Sequence, residues 1–131
     1  MAFFRQGQRL NAWEKAPGDP VSEADLALDR FLKDALTSAR PDYGWLSEES
    51  AEEGRDAARR FIVDPIDGTR AFVKGRADFC ISLAIVEHGV PMAAALYAPV
   101  DDALYTALPG KGAQRNGETL HVTSASAIAG A

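Results

Sequence analysis

From Cys80 to Leu120 the chain is a succession of short apolar stretches cut by turn formers, and this pattern constrains the fold more than any other feature of the sequence. Cys80 to Glu87 reads as a strand, His88-Gly89 as a turn and Val90 to Ala98 as a returning strand. Ala103 to Leu108 is a third strand, and Asn116-Gly117 is a strong hairpin signal between short strands near Ala113 and Leu120. Strands joined by turns this short pair antiparallel, because a parallel pair needs a long crossover. Upstream, Ser22 is placed as an N-cap with Glu23 and Asp25 in the first helical turn, where acids suit the helix dipole. Leu26, Leu28, Phe31, Leu32, Ala35 and Leu36 follow at helical spacing, and Pro41 stops the helix, giving a span of 22–39. Tyr43 to Leu46 is a short strand, Ser47 to Arg59 a polar loop with a short helix, and Phe61 to Val63 a compact strand. Arg70 to Val73 is one helical turn. A helix followed by consecutive antiparallel strands predicts an α+β domain over 22–124. Residues 1–21 read as an irregular segment, and the small, apolar tail 125–131 as a point of truncation.

Charge and cysteine usage narrow the function. Nineteen acidic residues against 14 basic ones leave a net charge of −5, which argues against a nucleic-acid polymer as partner. A single cysteine excludes an intrachain disulfide framework and fits a reducing compartment. No apolar run approaches the roughly 20 residues of a membrane span, and the first residues lack a signal peptide's apolar stretch. The expectation is a soluble cytoplasmic domain with no membrane partner.

The acids gather in short elements: Ser22 to Asp25, Ser47 to Ser50, and Asp64-Pro65-Ile66-Asp67-Gly68-Thr69. In the last, two carboxylates flank Pro65-Ile66 at the end of an apolar strand. Pro65 fixes one φ angle, and Gly68 permits a sharp turn or close approach to a ligand. Carboxylates for hard cations beside the amides of a helix start are what a metal–phosphate site needs. Taken singly, each has a plainer reading: an Asp-rich turn, a helix-start acid at Asp25, a solvated pair at Glu48-Glu49. An EF-hand does not fit, since its third and fifth positions would be Ile66 and Gly68. Gly110-Lys111-Gly112 lacks the further glycines of a nucleotide loop and reads as a turn, as does Asp101-Asp102. Cys80 reads as a buried structural thiol, Trp13 and Trp45 as packing residues, and His88 and His121 as unsuited to zinc.

Asp64 to Thr69, followed by Phe72, resembles the first signature of the inositol monophosphatase family of Mg2+-dependent, lithium-sensitive phosphatases. Ser47-Glu48-Glu49-Ser50 resembles its Gly-Glu-Glu-Ser element with Ser47 in place of Gly. Val21 to Asp25, preceded by Lys15, resembles its Val-Thr-x-x-Asp element, and Gly110 to Gly117 the hairpin closing its first domain. The resemblance covers about residues 13–124. It implies a sugar-phosphatase-like N-terminal domain, with helices packed on a mainly antiparallel sheet. It further implies that Glu48, Asp64 and the Ile66 carbonyl bind a first Mg2+, and that Asp64 bridges to a second, bound also by Asp67. Two or three ions occupy the full-length family site. Asp25 and Thr69 would orient the attacking water, with Glu48 nearby, and the amides of Gly68 and Thr69 would hold the phosphate. Lys15 and Arg70 could add charge near the site. The partner implied is a small phosphorylated substrate. Trp45 to Ser50 and Asp67 to Phe72 look more like the bacterial 3′(2′),5′-bisphosphate nucleotidase branch, with inositol-1-phosphate and histidinol-phosphate as further substrates.

The chain departs from the family in length. Family members have a second domain with a Trp-Asp-x-Ala-x-Gly element that completes the second metal site, and neither Trp13 nor Trp45 is followed by Asp. The expectation is weak Mg2+ binding and little or no turnover by this polypeptide alone, an active parent enzyme, and a homodimer in the full-length form. The alternative is a non-catalytic metal- or partner-binding module. Without a second domain, Gly89 to Ala98 is expected to risk aggregation if it becomes a sheet edge.

Overall fold

The computed structural model describes residues 12–16 and 19–124. Two strands that the sequence pattern missed open it: β1 (Ala12–Ala16) and β2 (Asp19–Ser22) pair antiparallel, so the segment read as irregular contains a two-stranded sheet. The rest of 1–21, and the tail 125–131, lie outside the described residues.

Helix α1 (Glu23–Ala39) begins where expected, with Ser22 as N-cap. Ala24, Leu28, Leu32 and Leu36 form its inward stripe and pack into two apolar clusters. Phe31, by contrast, is 67% exposed, because that stripe already fills the sheet-facing side and Phe31 falls outside it. The strands β3 (Gly44–Ser47), β4 (Arg59–Asp67), β5 (Cys80–Glu87), β6 (Val90–Ala98), β7 (Ala103–Leu108), β8 (Gly112–Arg115) and β9 (Glu118–Thr119) form a sheet in that order. A short helix, α2 (Thr69–Val73), lies between β4 and β5.

The hairpin signals are realised as positive-φ turns. His88 and Gly89 have φ of 48° and 83°, and Asn116 and Gly117 of 50° and 85°, the left-handed pair that matches strand twist. From β4 onward every neighbouring pair is antiparallel. β3 and β4 pair parallel. Their crossover, 48–58, holds no helix, contrary to expectation; it is held by an isolated bridge between Trp45 and Glu53 and by turns. Strand β6, the suspected edge, lies between β5 and β7 with both ladders satisfied. The edge hazard therefore does not apply to it.

The core sits under α1. Trp45, Phe61 and Val63 meet Leu32, Leu36, Tyr43, Leu83 and Ile85 in one cluster. Ala24, Ile66, Phe72 and Phe79 form the other, with Leu28 and Val73 against it. The second cluster joins the start of α1, the end of β4 and α2, which is where the acidic elements converge. No helix among the described residues is long and apolar enough to cross a membrane.

Candidate functional site

Backbone register places the carboxylates. In the parallel pair, Ser47 lies opposite Val63, so Glu48, just past the end of β3, comes beside Asp64 within β4, and Glu48 N–H donates to Val63 C=O at 3.4 Å. Residues three apart on a regular strand face opposite sides. Here a bulge between Asp64 and Asp67 adds a residue: Asp64 pairs with Ser82, and Asp67 with Cys80. Ser82 and Cys80 are two apart on β5 and share a face, so Asp64 and Asp67 share one also.

The three acids influence one another. Burial, then the charges of Glu48 and Asp67 and a hydrogen bond with Glu48, push the Asp64 carboxyl up to about 7. Like charges crowded in a half-buried place are what an added cation would relieve. The donors are all hard oxygens, which suits Mg2+ rather than a soft metal. Among the described residues no three His, Cys, Asp or Glu side chains form a ready-made metal cage. The residues thus fit a divalent ion by chemistry and charge, with an open arrangement.

Gly68 turns the chain from β4 into α2. Its φ is 93°, and a Cβ there would lie 2.6 Å from Asp78 O and 3.2 Å from Phe79 Cα. Gly68→Ala is expected to cost about 2–3 kcal/mol, because a strained φ is added to a backbone clash. Urea unfolding measures it; a loss below about 0.5 kcal/mol would show that the turn adapts.

Thr69 opens α2 and reaches back to α1. Its Oγ1 lies 3.1 Å from Asp25 Oδ1 and 2.9 Å from Ile66 O. The hydroxyl has one proton, so these two acceptors compete for it. Asp25 is fully buried, at 0% exposure. Its Oδ2 accepts from Ser22 N at 2.9 Å and Ser22 Oγ at 2.5 Å, within a capping box. Asp25 is therefore more than a helix-start acid, since its other oxygen faces Thr69.

Of the residues singled out from sequence, the structure brings Glu48, Asp64 and Asp67 into one electrostatic group, and Asp25, Thr69 and the Ile66 carbonyl into one hydrogen-bonded group. Gly68 joins the two. Arg70 is exposed on α2. Lys15 lies on β1, and its side chain, like that of Trp13, lies outside the described residues.

Three residues were missed or misread. Asp29 is 4% exposed and accepts a hydrogen bond from Ser47 Oγ. The available signal was its position four residues after Asp25, hence on the same helix face. Ser47, read only as a replacement for Gly, is buried. Cys80 is not a fully buried thiol: it is half-buried, with Sγ 3.9 Å from Asp67 Oδ2, and burial together with the Asp67 and Asp64 charges raises its pKa.

Comparison with known proteins agrees with this architecture. A suhB extragenic suppressor protein from Bartonella henselae superposes with a TM-score of 0.84 at 40% identity, covering 88% of this chain and 45% of that one. The class is thus the fold of inositol-phosphatase-like proteins. The family model for the inositol monophosphatase family matches residues 2–131, and the chain belongs to that family. An inositol-1-monophosphatase of Rhizobium meliloti is 42% identical over 98% of this chain and 48% of its own length. A 3′(2′),5′-bisphosphate nucleotidase CysQ of Escherichia coli K12 is 38% identical over 85% of this chain and 46% of its own length. The chain spans about half the length of the curated relatives it matches.

Proposed function

We propose that this chain carries the metal and water-activating part of a Mg2+-dependent phosphate monoester hydrolase. The observation that carries the reading is the mutual crowding of Glu48, Asp64 and Asp67 next to the Thr69–Asp25 hydrogen bond. A matched IMPase/NADP phosphatase, 31% identical with a TM-score of 0.75, was crystallised with Mg2+ and phosphate, which supports the choice of ion. Glu48, Asp64, Asp67 and the Ile66 carbonyl would hold Mg2+. When bound, Mg2+ acidifies a nearby water and offsets charge developing on the phosphate.

The residues of the chain do the rest. Thr69 Oγ1 accepts a proton from the attacking water as its own proton passes to Asp25 Oδ1. A threonine hydroxyl alone is too weak a base, and the buried carboxylate supplies the acceptor. Glu48 sits beside the same water. The amides of Gly68 and Thr69 precede the first intrahelical bonds, which Ala71 and Phe72 donate to Gly68 O, and would hold a phosphate oxygen. Lys15 on β1 and Arg70 on α2 are the basic residues that could supply further positive charge for the anion.

The substrate class is a small phosphate ester, either an inositol phosphate or a 3′(2′)-phosphoadenosine-type nucleotide. The 42% identity to an inositol-1-monophosphatase weights the first, and the 38% identity to a CysQ nucleotidase keeps the second. Because the chain spans about half of these relatives, hydrolysis is proposed for the site when completed as in them, by a cytoplasmic homodimer. The 131-residue chain alone is expected to bind Mg2+ weakly and turn over little. A second reading is a partner-binding module: a Nus factor SuhB of Pasteurella multocida is 35% identical over 97% of this chain and 48% of its own length.

Mg2+-dependent phosphate release from a panel of both substrate types separates the two readings. Thr69→Val is expected to lower turnover of the longest active form about 100-fold, with Thr69→Ser retaining most of it. No Mg2+-dependent release from any ester would favour the partner-binding reading. Equal activity of the Val and Ser variants would remove Thr69 from the proton path.

A further inference from the structure

The Glu48 loop is tied down more heavily than its exposure suggests. Glu48 itself is exposed, yet Ser50 Oγ accepts from the buried Trp45 indole N–H at 2.9 Å. On the other side, Glu49 N–H donates to Ser47 Oγ at 3.2 Å, and Ser47 Oγ–H donates to Asp29 Oδ1. The polarity is consistent along this chain. A hydroxyl that gives its one proton to a carboxylate turns its lone pairs to the incoming amide. Asp29 stands on α1 one turn after Asp25, so one helix face sends one carboxylate to each half of the site: Asp25 to Thr69, and Asp29 to the Glu48 loop.

We propose that Asp29 is a positioning residue which, through Ser47, fixes the backbone from which Glu48 reaches toward Asp64. The inference rests on the metal-site reading above. Burying a carboxylate is costly unless its hydrogen bonds are made, and no buried side-chain polar atom among the described residues lacks a partner. A mere packing position would be served by an apolar side chain. What the Asp29–Ser47 pair adds is a directed bond that sets where residues 48 and 49 leave β3. Removing such outer partners of metal ligands commonly lowers affinity about 10- to 100-fold.

The test is Mn2+ binding to the 131-residue chain, titrated by electron paramagnetic resonance, with thermal unfolding run in parallel. Ser47→Ala and Asp29→Ala are each expected to weaken Mn2+ about 10-fold. The double variant should lose little more than either single one, since both break one linkage. Asp29→Asn keeps an acceptor oxygen for Ser47 and should recover most of the affinity; if Asp29→Ala fails to fold, Ser47→Ala carries the test. Lower thermal stability with unchanged Mn2+ affinity in Ser47→Ala and in folded Asp29→Ala, while Asp64→Asn abolishes binding, would overturn the positioning role and leave the metal site standing. Undiminished Mn2+ binding by Asp64→Asn would overturn the metal site, and the positioning role with it.

Discussion

Asp64→Asn is expected to make the ion-free protein more stable and at the same time insensitive to Mg2+. Burial and the neighbouring charges of Glu48 and Asp67 raise the Asp64 pKa from 3.8 to about 7. A carboxyl whose folded pKa lies above its unfolded value contributes stability below the unfolded pKa and loses it as pH rises through the folded one. Without divalent ions, the wild-type protein therefore loses stability between about pH 4 and pH 7 from this group. Asparagine stays neutral and loses none. The full shift would correspond to about 4 kcal/mol, but a half-exposed carboxyl is screened by solvent, and about 1–2 kcal/mol at pH 8 is the expected gain. Below about pH 4 the gain should vanish. Mg2+ reverses the ranking: at 100 times its dissociation constant it should stabilise wild type by about 2.7 kcal/mol and leave the variant unmoved. In the longest active form, turnover should fall on the order of 1,000-fold. Thermal melts at pH 4 and pH 8, with and without Mg2+, check all of this but turnover. A variant that is less stable at pH 8 without ions, or that still responds to Mg2+, would contradict it.

Phe72→Ala should be the most destabilising single change in the second core cluster. Phe72 is 0% exposed, and its ring meets Phe79 edge-on with centroids 5.0 Å apart. It packs with Ala24 of α1 and Ile66 of β4. Truncating a buried phenylalanine removes its transfer energy and leaves a cavity, together about 3–5 kcal/mol. Domains of this size have about 5–15 kcal/mol in total, so the variant should sit close to unfolding at 37 °C. Urea titration at low temperature gives the difference. A loss under 1 kcal/mol would mean that α2 is not anchored through this ring.

What the sequence disclosed was mostly local chemistry. Ser22 and Asp25 announce a helix start, and His88-Gly89 and Asn116-Gly117 announce turns, because each acts within a few residues. The acids of the site could be named one by one for the same reason. Their juxtaposition could not. The parallel pairing of β3 with β4, which sets Glu48 beside Asp64, leaves no short-range mark and is decided by packing beneath α1. The bulge that turns Asp67 toward Asp64 depends on what lies opposite in β5. Asp29 and Cys80 gain meaning only from Ser47 and Asp67, 18 and 13 residues away. Phe31 shows the converse, a residue at core-like spacing that faces outward.

The bulge in β4 has an effect beyond aiming carboxylates. Consecutive residues on a strand normally serve opposite masters, one the interior and one the solvent. Pro65 and Ile66 are adjacent and both fully buried, while Asp64 and Asp67 on either side share the other face, half-buried and exposed in turn. One irregularity therefore sets both the interior and the carboxylate face proposed to hold the ion. A designer who straightened this strand to improve packing would be rewriting the proposed metal site, and one who moved an aspartate would be pulling on the core.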